Sequence, residues 1–66
     1  MNWDHIQGNW KEFSGRIRQR WGNLTDNDLA KIAGHREKLI GTLQKSYGLA
    51  KDHAELQVRE FEKTLH

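Results

Sequence analysis

Cysteine and proline are both missing from this 66-residue chain. Without cysteine there is no disulfide to staple a small secreted fold, no thiolate to hold a metal and no thiol nucleophile, so an intracellular, cytoplasmic setting is expected. Without proline there is no obligatory helix breaker, and the chain must turn its corners with polar caps and with its six glycines. Long apolar runs are absent too. Nothing approaches the roughly 18 residues of a membrane span, and Met1-Asn2-Trp3-Asp4-His5 lacks the basic-then-apolar pattern of a signal peptide, so no membrane association is expected. Charge of one sign is scarce: eleven Lys and Arg against nine Asp and Glu leave a net +2. At this length one domain over residues 1–66 is expected. With 35% hydrophobic residues its core will be thin. A core of that kind supplies no more than about 3–5 kcal/mol.

What is present has helical spacing. Trp3, Ile6, Trp10, Phe13, Ile17 and Trp21 recur at intervals of three and four, where a strand would alternate by two. The three tryptophans share one edge of this stripe, because intervals of seven and eleven residues close two and three turns. A helix is expected over about 2–20, stopped by Gly22 and Asn23 in left-handed backbone. Thr25 then reads as an N-cap with Asp28 as its capping-box partner. A short helix over about 26–33 presents Leu29, Ile32 and Ala33, with Gly34 as its C-cap. A third helix covers about 35–47 (Leu39, Ile40, Leu43, Tyr47) and ends at Gly48. A last one covers about 51–64 (Ala54, Val58, Phe61, Leu65). The fold expected is all-α, a small four-helix bundle whose neighbours pack antiparallel across short loops. Trp10, Phe13, Ile17, Leu29, Ile32, Leu39, Leu43, Val58 and Phe61 should be mostly buried, and Leu56, nearly opposite its helix's apolar stripe, exposed.

Five segments in order carry a resemblance that periodicity does not supply: Gly8-Asn9-Trp10-Lys11, the run Trp21 to Leu29, Ile32-Ala33-Gly34, Leu39-Ile40-Gly41 and the run Tyr47 to Glu55. Together they resemble the CsbD-like family of small bacterial stress-response proteins, over about residues 1–62. The resemblance implies a four-helix fold in the bacterial cytoplasm and a link to the general stress response. It implies no established biochemical activity and brings no catalytic residues. Departures from the family pattern are Trp3 and His5 at usually charged positions, His35 within a usually more basic segment, and Ala50 at a capping position often held by Ser.

The remaining candidates for chemistry are few. His5, His35, His53 and His66 show no metal-ligand spacing, Ser14 and Ser46 have no neighbouring base, and Glu60 and Glu62 lie on different helix faces. No glycine-rich phosphate loop occurs. Neither catalysis, nor a metal, nor a cofactor is expected. Arg16-Ile17-Arg18-Gln19-Arg20-Trp21 is the sharpest lead, since arginines beside an aromatic can meet phosphates and bases. Lys11 and Arg18, however, face roughly 160° away from Arg16 and Arg20, so no dense basic stripe forms. A monomer acting by abundance or through an unknown protein partner is expected, with the tryptophan edge and partly wet Trp3 as the contact surface. The alternative is weak, non-specific nucleic-acid binding through Lys11, Arg16, Arg18 and Arg20. Gly8 and Gly15, opposite the apolar stripe, imply a close backbone approach or a bend.

Overall fold

Asn9 divides the first apolar stripe into two helices. A computed structural model describes residues 2–65, in the order α1 (Trp3–Gly8), α2 (Trp10–Arg20), α3 (Asp26–Ile32), α4 (Arg36–Tyr47) and α5 (Lys51–Lys63). The single helix expected over 2–20 is therefore broken, and five helices replace four among the described residues. The cause is local. Gly8 weakens the ladder, and Asn9 leaves the helical region at φ −122°, ψ 37° while its side-chain amide donates to the His5 carbonyl at 3.1 Å. The apolar stripe runs on through the break, so Ile6 and Phe13 still reach one core.

The end of α2 also departs from expectation. Gly22 and Asn23 do not adopt left-handed backbone; among the described residues only Ala33, Gly34 and Gly48 do. Instead the Asn23 N–H donates to the Tyr47 hydroxyl at 3.1 Å and the Leu24 N–H to the Trp21 carbonyl at 3.1 Å. A long-range bond and the burial of Leu24 stop this helix, where a glycine was expected to. The start of α3 follows its sequence closely: the Asp28 N–H donates to Thr25 Oγ1 at 3.1 Å, and Thr25 N–H to Asp28 Oδ2 at 3.0 Å, completing the capping box. Its C-cap is Ala33, at φ 47°, and not Gly34. Gly34 has another task. At φ 83° it lies so close to α1 that a Cβ there would sit 2.7 Å from the Gln7 Cα. This is the close backbone approach expected of Gly8 or Gly15, both of which face open space.

Helix α4 ends at Gly48 in left-handed backbone, and α5 begins after Ala50, which supplies no side-chain cap. These two helices make the most extensive helix–helix contact, with α3 against α4 next. The core joins all five: Ile6, Ile17, Leu24, Ile32, Leu39, Ile40, Leu43 and Val58 are fully buried, with Phe13, Leu29 and Phe61 nearly so. Trp10, expected in this core, is only half-buried and packs against its edge. Leu56 is exposed as expected, at 50%.

Candidate functional site

The tryptophan row resolves into three separate ties. Trp3 donates its indole N–H to Glu62 Oε2 at 2.7 Å, Trp10 to the Leu29 carbonyl at 3.1 Å, and Trp21 to Gln57 Oε1 at 2.9 Å. The first binds α1 to the end of α5, the second α2 to α3, and the third the end of α2 to the middle of α5. Trp21 is buried and packs on Phe61 with ring centroids 5.4 Å apart. Trp3 and Trp10 remain half-exposed. Trp10 also lines an open hollow of about 400 Å³ at the helix break, with Gly8, Asn9, Lys11 and Glu12.

Glu62 is shared. Its Oε2 also accepts from Arg36 Nε at 3.1 Å, in a half-buried pair that draws the start of α4 into the same tie. Two donors on one carboxylate oxygen offset the cost of its partial burial.

The cations on which the nucleic-acid alternative rests fall on separate surfaces. Arg16 pairs with Glu12 at 3.4 Å and lies over the Phe13 ring, and Arg20 lies over the Trp21 ring. Both flank an open groove of about 470 Å³ against Phe61, Thr64 and Leu65 of the carboxyl-terminal end. Arg18 instead pairs with Asp26 at the start of α3. Lys11 stands at the hollow beside Trp10.

Of the histidines, His5 meets the edge of Phe13 with ring centroids 5.9 Å apart, and His35 Nδ1 lies 3.5 Å from Gln7 Nε2. His53 is exposed, and His66 lies outside the described residues. Among the described residues no three His, Asp or Glu side chains converge on a point where a metal could sit. No described helix is long and apolar enough to cross a membrane.

A further groove, of about 510 Å³ between α3 and α4, is lined by Asp28, Lys31, Lys38, Gly41, Thr42 and Lys45. Its sequence signal is only partial. The signal available was the i, i+3, i+4, i+7 spacing of Lys38, Gly41, Thr42 and Lys45, which places all four on one face of α4. Lys31 joins them only through the packing of α3. The Asp28 carboxyl is held below the usual carboxylate range, first by the Thr25 backbone N–H and further by the Thr25 side chain and the charges of Lys31 and Lys45; desolvation opposes this.

Comparisons with known proteins place the chain in a family. The family model described as CsbD-like matches residues 4–55. The chain is 52% identical to UPF0337 protein PA4738 of Pseudomonas aeruginosa, covering 92% of this chain and 94% of that protein. It is 48% identical to UPF0337 protein YjbJ of Escherichia coli O6:H1, covering 96% and 91%, respectively. A third relative, UPF0337 protein pc0632 of Protochlamydia amoebophila, is 47% identical over 94% of both chains. The matched span runs from α1 into α5 and takes in the helix break at Asn9, the capping box of α3 and the close approach of Gly34. On these matches, the chain belongs to the CsbD-like family.

Proposed function

We propose that this protein serves the bacterial general stress response in the cytoplasm without turnover, by abundance and by holding a protein partner on its α1–α2 arm. The observation that carries this reading is the state of Trp3 and Trp10. Both rings are half-exposed while both indole N–H groups are spent on internal acceptors. A ring held in this way presents apolar surface with no polar group left to satisfy. Its orientation is already restricted, so docking costs little further side-chain entropy. Tryptophan is also among the residues that dominate interface energies. The hollow beside Trp10, with Gly8 at its edge, lets a partner's side chain approach the backbone.

The placement of the cations supports a protein partner over nucleic acid. Phosphate binding gains from a row of basic groups, and Lys11, Arg16, Arg18 and Arg20 are divided among three surfaces. Affinity for nucleic acid should then be non-specific, about 10⁻⁴–10⁻⁶ M at physiological salt.

The test is capture from extracts of stressed bacterial cells, followed by direct titration of the purified partner. Trp3→Ala, first checked for retained helicity by circular dichroism, should weaken that binding about tenfold or more, as loss of an aromatic anchor does. Replacing Arg16, Arg18 and Arg20 together by Gln should leave it unchanged at physiological salt. Sub-micromolar, sequence-selective DNA or RNA binding that vanishes with the arginines would reverse the assignment.

A further inference from the structure

The α3–α4 groove differs from the rest of the surface in how its charges are arranged. Four ion pairs form among the described residues: Arg16–Glu12, Arg18–Asp26, Arg36–Glu62 and Lys63–Glu60. Lys31, Lys38 and Lys45 take part in none of them, although all three line one groove. The single carboxylate there, Asp28, already accepts the Thr25 N–H at 3.0 Å in the capping box. Three ammonium groups thus share one carboxylate, which also serves the capping box. Like charges on neighbouring elements repel unless something is placed between them.

The floor suits a ligand. Gly41 lies between Lys38 and Lys45 on the α4 face, and a Cβ there would meet nothing within 4 Å. Thr42 turns its hydroxyl back to the Lys38 carbonyl at 2.8 Å, so it does not project into the space. The groove is open to solvent along its length, with a volume of about 510 Å³. Lys38 and Lys45 stand seven residues apart on one helix, about 10 Å along its axis at 1.5 Å per residue. An anion with charged centres spaced along that length can engage both without drawing the two like charges together. Lysine, a flexible point charge, suits phosphate oxygens without the fixed planar geometry that arginine imposes.

We propose that the groove between α3 and α4 is a binding site for short phosphate chains, held by Lys31, Lys38 and Lys45 over the open floor at Gly41. The chain can be inorganic or the tail of a nucleoside triphosphate; the same three lysines serve both. This site is independent of the tryptophan arm and does not rest on the partner proposed for it.

The experiment titrates inorganic tripolyphosphate, ATP and orthophosphate separately into the full chain, followed by backbone amide NMR shifts. Tripolyphosphate should give saturable shifts centred on Lys31, Lys38, Gly41, Thr42 and Lys45, and orthophosphate should bind about tenfold more weakly or worse. Equal affinity for ATP and tripolyphosphate assigns the inorganic chain as sufficient; tighter ATP binding with the same lysines shifted assigns the nucleotide as the source. The variant carrying Lys38→Gln and Lys45→Gln should lose about tenfold in affinity with its helicity retained, whereas Lys11→Gln and Lys63→Gln should lose nothing. The proposal is overturned by any of three results: shifts spread evenly over the basic residues of α2, orthophosphate binding as well as tripolyphosphate, or unchanged affinity in the double variant.

Discussion

The α4–α5 pair and the α1–α2 arm are attached to the same core by different means. Leu39, Ile40 and Leu43 of α4 and Ala54, Val58 and Phe61 of α5 are all buried in one cluster, aliphatic apart from one ring. The arm contributes Ile6, Phe13 and Ile17 to that core, but between them it relies on indole N–H bonds that cross to α3 and α5. Apolar contact is non-directional and tolerates small shifts, whereas a hydrogen bond to a fixed acceptor sets orientation. Apolar burial thus sets the contact of the pair, and the ties in the arm orient its two short helices. Neither α1 nor α2 reaches the length at which an isolated helix is stable in water, so both depend on this docking.

The strongest test of the contrast removes core volume from each side. Leu43→Ala in α4 should cost about 2–5 kcal/mol and Phe13→Ala in α2 about 3–5 kcal/mol, as much as so small a core supplies. Both variants should lose most far-UV circular dichroism at 25 °C. A Phe13→Ala protein that keeps native amide protection in α4 and α5 would show that the arm is a separate folding unit, and the single-core description would be wrong.

Next in size is the contact between the two regions at Gly34. Alanine there must place its Cβ against the Gln7 backbone and hold a left-handed φ, for which about 2 kcal/mol is the expected cost, or roughly 10 °C in melting temperature. Gly15→Ala should do the opposite. It lies inside α2 with open space around it, so about 0.5–1 kcal/mol of stabilisation is expected. Equal effects of one sign from both substitutions would remove Gly34 as the point where the arm seats.

Trp3→Phe isolates one tie. It keeps the apolar ring and deletes the donor to Glu62, while Arg36 continues to cover that carboxylate. A loss of about 1 kcal/mol is expected, below the range for a buried bond to a charged group because the site is half-exposed. Amide exchange should accelerate most through α1, and in α4 and α5 by no more than the loss of global stability dictates.

Local chemistry made much of the fold legible in advance. The capping box at Thr25 and Asp28, the left-handed stop at Gly48 and the apolar periods of α3 to α5 are encoded within a few residues, and these helices begin and end within about two residues of expectation. Non-local features were not legible. The stripe from Ile6 to Phe13 keeps its spacing across Asn9, so periodicity hides the break, although Gly8-Asn9 is a recognisable cap pair. Leu24 has no periodic partner, and its burial follows from the turn that Tyr47 fixes. Spacing alone places Trp10 in the core, but its N–H reaches the Leu29 carbonyl and one side of the ring stays at the surface. For the candidate sites the division is the same: the separation of Arg18 from Arg16 and Arg20 follows from helical geometry alone, while the meeting of Lys31 with Lys38 and Lys45 requires the packing of α3 on α4.

The smallest predicted effect concerns α3, which lies between the two regions and receives Trp10 through the Leu29 carbonyl. Asp28 is held below the usual carboxylate range chiefly by the Thr25 backbone N–H. The unfolded chain, with its ordinary carboxyl, therefore takes up a proton before the folded one does. The contribution of Asp28 to stability is present in full above the unfolded value, near pH 4, and is lost as pH falls through the lower folded value. Asp28→Asn should accordingly melt a little below the parent protein at pH 6–7, and the gap should close as pH falls below about 4 and through the lower folded value. Because Lys31 and Lys45 share in holding the carboxylate charged, Lys45→Gln should narrow the gap at neutral pH without removing it. If α3 is the seat of the arm, the acid-induced loss should appear first as faster amide exchange in α2, around Trp10, with α4 and α5 still protected. Simultaneous loss of protection in all helices over that pH range would mean that the cap of α3 acts on the whole core, and that the arm and the pair respond to acid as one unit.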